Sequence, residues 1–93
     1  MREVVKQLQQ GKTVTFKPVG NSMTPRIKSK QEVTVEPYTD QNLKVGGVVL
    51  VTVKGNTYLH LISAIDGDRI QISNNHGYVN GWTTKAKVWG VLV

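Results

Sequence analysis

Cysteine is absent from this chain of 93 residues, which rules out disulfides, thiolate metal sites and a cysteine nucleophile and leaves the redox compartment open. Acidic residues are scarce: six Asp and Glu stand against twelve Lys and Arg, a net charge of +6, so an acidic partner such as nucleic acid comes into consideration. The cations are scattered, however, from Lys6 and Lys12 to Lys85 and Lys87, with one local cluster at Arg26-Ile27-Lys28-Ser29-Lys30. A solvated basic face is the ordinary meaning of that pattern, and nucleic acid ranks behind protein as a partner. Aromatic residues are few, one Phe, two Trp and three Tyr, too few for a base-stacking platform. No apolar stretch approaches the ~18 residues of a membrane span, and no apolar region follows Arg2, so a soluble, cytoplasmic chain is expected. Two histidines without clustered carboxylates fall short of a metal site. Gly46-Gly47 leads into a strand rather than a helix, so no phosphate loop is present, and no cofactor is expected.

What the chain does contain is a β pattern. At this length residues 1–93 make one domain with a modest core. Val4, Val5 and Leu8 fall at helical spacing and Gln10-Gly11 is a plain stop signal, which predicts a short helix over 1–10. Residues 12–93 read as strands. "KTVTFKPVG" and "EVTVEP" alternate apolar and polar residues, and the stretch from Gly46 to Asn75 reads as three strands broken at Lys54-Gly55-Asn56 and Asp66-Gly67-Asp68. "AKVWGVLV" is a final strand. The fold class is mainly β, a compact bent sheet with one short N-terminal helix. Trp82 and Trp89 suit a core or a dimer contact. The apolar final strand needs covering, which a homodimer would supply.

The chemistry centres on "GNSMTP", residues 20–25. The run is too polar for core and too constrained by Gly20 and Pro25 for a slack linker. Ser22 is the candidate nucleophile, and a serine hydroxyl needs a base within hydrogen-bond reach. His60 in "TYLHLI" is the sharper candidate, because Tyr58, His60 and Ile62 share one face of a rigid strand and an imidazole titrates where a general base must. His76, in the turn-like "SNNHGY", has the setting of a solvated loop histidine.

The order "VGNSMTPRI", "VTVEP", "KVGGVVLVTV", "YLHLI", "IDGDRIQISNNHG" resembles the signature series of the signal peptidase and LexA-type self-cleaving repressor superfamily over about residues 14–93. The resemblance implies a serine peptidase of the histidine-based type, with Ser22 as nucleophile, His60 as base, and a protein or peptide substrate. It implies an oxyanion site at the backbone N–H of Ser22, with Asn21 and Gly20 beside it and Met23 packed beneath. Asp66 or Asp68 is the candidate for orienting the imidazole.

The chain departs from the pattern at three places. Gly47 stands where the lysine-glycine strand usually carries an aspartate. Ser73-Asn74-Asn75 and then Asn80 stand where histidine-type members carry acidic groups, and Gly20 replaces a serine that supplies an oxyanion donor in some members. The 21 residues before Ser22 leave no room for a DNA-binding helix-turn-helix, and export processing is not expected without an anchor. The pattern is that of a free-standing minimal peptidase domain such as a phage or mobile element carries. The alternative reading is a catalytically weak or inactive binding or regulatory module on the same fold.

Overall fold

The computed structural model describes residues 2–20 and 23–93. Helix α1 (Arg2–Gln9) carries Glu3 in its first turn, where the helix dipole favours a carboxylate, and Gln7 Nε2 donates to Glu3 Oε1 one turn back at 3.2 Å. It ends at Gly11, whose N–H reaches the carbonyl of Leu8 at 3.0 Å. Its apolar stripe buries Leu8 against the sheet, with Val4 and Val5 at the margin.

The strands are β1 (Val14–Phe16), β2 (Val33–Pro37), β3 (Val48–Val53), β4 (Asn56–Asp66), β5 (Arg69–Ser73), β6 (Val79–Thr84) and β7 (Val88–Leu92). They form one antiparallel sheet in the order β1-β2-β7-β3-β4-β5-β6. The expected hairpin signals are the turns that form: Lys54-Gly55 joins β3 to β4, and Asp66 pairs with Arg69 across the β4–β5 turn. The unexpected strand is β6. "VNGWTT" lacks the apolar alternation that announces a strand, because it is a sheet edge with Val79 and Trp82 partly exposed to solvent. Trp82 lies under the Arg69 guanidinium, 5.3 Å from its ring centroid.

Alternation on β3 explains both cores. Val48 and Leu50 point to one face, where Leu8, Met23, Ile27, Val33, Val35 and Leu59 close over them. Val49, Val51 and Val53 point to the other, with Ile62, Ile70, Ile72, Val88 and Val91. The sheet bends so strongly that β6 returns against β3, where Thr83 Oγ1 donates to the carbonyl of Thr52 at 2.9 Å. The last strand needs no second copy to cover it: β7 lies between β2 and β3, and its Val88 and Val91 are buried within the chain. Trp89 is the extra residue of a bulge in β7 opposite Leu50 and Val51, and its indole N–H donates to Thr52 Oγ1 at 2.9 Å. Among the described residues no helix is long and apolar enough to cross a membrane.

Candidate active site

His60 lies in β4 opposite Val49 of β3 and is 5% exposed. The alternation read from "TYLHLI" holds: Leu59 and Leu61 serve the helix-side core, and Tyr58 and Ile62 the other. The Tyr58 ring stacks on the imidazole, with centroids 4.6 Å apart and planes at 19°. Packing on a flat aromatic face restricts the ring to a narrow range of orientations.

Strand β4 is 11 residues long, but β5 pairs only with its second half, from Leu61 to Asp66. Among the described residues, Asn56 to His60 are therefore paired on the β3 side alone. A cavity of about 150 Å³ follows that open margin, lined by Thr57, Tyr58, Leu59 and His60 on one wall. Four consecutive strand residues can line one cavity only if it runs along the strand edge, since alternate side chains leave on opposite faces. The facing wall is Pro18, Val19 and Gly20, with Met23 and Ile27 beneath. The slot thus lies between the open edge of β4 and the 18–20 segment.

The other side of the imidazole is held by β6. His60 Nδ1 lies 2.7 Å from Asn80 Oδ1. A carboxamide oxygen can only accept, so Nδ1 carries the proton of this hydrogen bond and Nε2 is the basic nitrogen of the neutral ring. Burial pushes the His60 pKa below its ordinary 6.5, and the bond to Asn80 pulls it partly back.

The loop between β5 and β6 also reaches the turn that begins at Met23. Asn74 Oδ1 accepts from the backbone N–H of His76 at 2.8 Å and of Tyr78 at 3.0 Å, which closes the loop. From it, Asn75 Nδ2 donates to the carbonyl of Thr24 at 3.0 Å, and His76 Nε2 lies 3.3 Å from Thr24 Oγ1. His76 is accordingly engaged with the 23–25 turn rather than simply solvated. Arg26, from the basic cluster, donates to the carbonyl of Gly46 at 3.0 Å and so ties the same segment to the start of β3.

Of the residues singled out in the sequence, Gly20, Met23 and His60 line one cavity. Met23 is buried among core residues. Asn21 and Ser22 lie outside the described residues. Asp66 and Asp68 sit at the β4–β5 turn, where Asp66 is six residues beyond His60, about 20 Å along an extended strand. Burial, the hydrogen bond to Asp40 and the charges of Asp40 and, least, Asp68 push the Tyr38 phenol up to about 12. The group on the imidazole is Asn80, which the sequence marked only as a missing acid. The run "SNNHGY" carries more than a turn: Asn74 closes its own loop, and Asn75 and His76 reach the backbone and the side chain of Thr24.

A family model described as signal peptidase, peptidase S26, matches residues 7–89. No curated protein and no solved structure matches the chain.

Proposed function

The chain belongs to the signal peptidase family, peptidase S26, and from that premise we propose that it is a serine endopeptidase acting through Ser22 and His60. One observation carries the reading: Gly20 and Met23, which flank Asn21-Ser22 in sequence, line the same cavity as the imidazole of His60. In the proposed reaction Nε2 of His60 takes the Ser22 hydroxyl proton as the oxygen attacks the scissile carbonyl. The backbone N–H of Ser22 donates to the oxyanion, and the protonated imidazole then gives its proton to the leaving amine. Water, deprotonated by the same nitrogen, releases the acyl group.

The substrate fits as an extended strand. The open margin of β4 from Asn56 to His60 offers backbone groups to an incoming peptide, and residues 18–20 offer a second rail across the cavity. A space of about 150 Å³ admits one side chain beside the base rather than a folded segment. Selection therefore falls on a single residue next to the cut, in a stretch of protein able to become extended.

The test is mass spectrometry of a diverse unstructured peptide mixture, and of the protein's own termini, after incubation with wild type, Ser22→Ala and His60→Ala. New cleavage products that both variants abolish are expected. Products identical in all three samples would overturn the proposal and leave a binding module on a peptidase fold.

A further inference from the structure

The β6 strand contains one residue too many. Ser73 pairs with Val79 and Ile72 with Gly81, so consecutive residues of β5 face residues two apart on β6, and Asn80 is the one left over. A bulge of this kind leaves its extra residue outside the ladder and re-aims its side chain. The following Gly81 has φ +136°, a conformation that side-chain-bearing residues rarely adopt, which lets the strand resume its register. The re-aimed side chain is the one that meets His60 Nδ1 at 2.7 Å.

We propose, resting on the Ser22-His60 reading, that Asn80 is the positioning residue of this site: an uncharged carboxamide that fixes the imidazole tautomer and plane where an acid would ordinarily stand. The chemistry divides into two parts that a carboxylate performs together. Orientation needs only an acceptor on Nδ1, and the carboxamide oxygen supplies it. Charge stabilisation of the imidazolium needs an anion, and Asn80 has none to give. The base is consequently well aimed and weak, ready at lower pH than a carboxylate-paired histidine.

The surroundings keep it so. Tyr58, stacked on the ring from β4, is the titratable group facing it among the described residues. From β3 the residue paired with it is Val49, and the cavity beside it is lined by Val19 and Met23, none of them charged. Lys54, at the β3–β4 turn, lays its side chain against Gly81, next to Asn80, so the nearby formal charge on the β6 side is positive. The same hairpin loop that feeds β6 also holds the carbonyl of Thr24 through Asn75. One hairpin thereby indexes His60 and the turn at Thr24, two residues after Ser22 in sequence, against each other.

The experiment combines nitrogen-15 NMR of the histidine rings with pH–rate profiles for wild type, Asn80→Asp and Asn80→Ala. Wild-type His60 is expected in the tautomer protonated at Nδ1. Asn80→Asp, which preserves shape, should move the His60 midpoint and the acid limb of kcat/KM upward. Asn80→Ala should move the midpoint downward, mix the tautomers and lower kcat on the order of 10-fold, less than the loss of a general base itself. A wild-type ring protonated at Nε2, or an Asn80→Asp midpoint equal to wild type, overturns the assignment. The ring measurements need no substrate: the expected shifts without any Ser22-dependent cleavage would sustain the positioning of His60 and defeat the peptidase reading. Ser22-dependent cleavage with an unaltered profile in both Asn80 variants would do the reverse.

Discussion

At the scale of single residues, His60 and Asn80 illustrate what a sequence can and cannot disclose. The histidine was legible because its two neighbours at alternate positions are apolar or aromatic, which placed it on a defined face of a strand. Its partner Asn80 was legible only as a residue standing where an acid is expected, because the bulge that aims it is a property of two strands compared. The turn acids Asp66 and Asp68 were candidates by residue type, and strand length carries them away from the ring. Burial of His60 has a thermodynamic consequence besides its chemical one. Its folded-state pKa lies below the unfolded 6.5, so between those two values the unfolded chain binds more protons. The stability contributed by the neutral ring is present above 6.5 and is lost as pH falls through the folded value. Urea denaturation measured from neutral to acid pH should therefore show a loss of stability in that window. His60→Gln should flatten this part of the profile, and a profile unchanged by the substitution would show that His60 does not titrate differently in the two states.

At the scale of elements, hairpins with glycine turns were legible and the edge strand was not. Lys54 and Gly55 have φ of 51° and 82°, the pair of left-handed conformations that a two-residue hairpin turn demands. A Cβ added at Gly55 would meet nothing within 4 Å, so Gly55→Ala isolates the conformational cost, about 1–2 kcal/mol. Chemical denaturation should show that loss with an unchanged dependence on denaturant concentration. A neutral substitution would mean that the turn accommodates a different geometry. Strand β6, by contrast, has only one face against the protein and spends its central residues on Asn80 and Gly81, so neither period nor composition identifies it.

At the scale of the whole molecule, the bent mainly β fold was legible from the number and spacing of strands, and the strand order was not. Composition says that "VWGVLV" must be covered; only the topology shows that β2 and β3 do the covering. Gly90 is the tightest point of that arrangement. A Cβ there would collide with Val35 Cγ1, and would lie 2.8 Å from the Glu36 carbonyl and 3.0 Å from Leu8 Cδ1. Gly90→Ala should thus destabilise by about 1–3 kcal/mol through overpacking, read as a lower melting temperature, and an unshifted melt would show that the α1 and β2 contacts yield freely. The central position of the last strand also sets an order of events. β1 and β2 on one side and β3 through β6 on the other have no shared ladder until residues 88–92 arrive between them. Until β7 is in place each half of the sheet therefore has an unfilled edge, and the ladder between them forms only through that strand. A strand that carries no candidate site residue is thus the one that holds the two halves of the sheet in register.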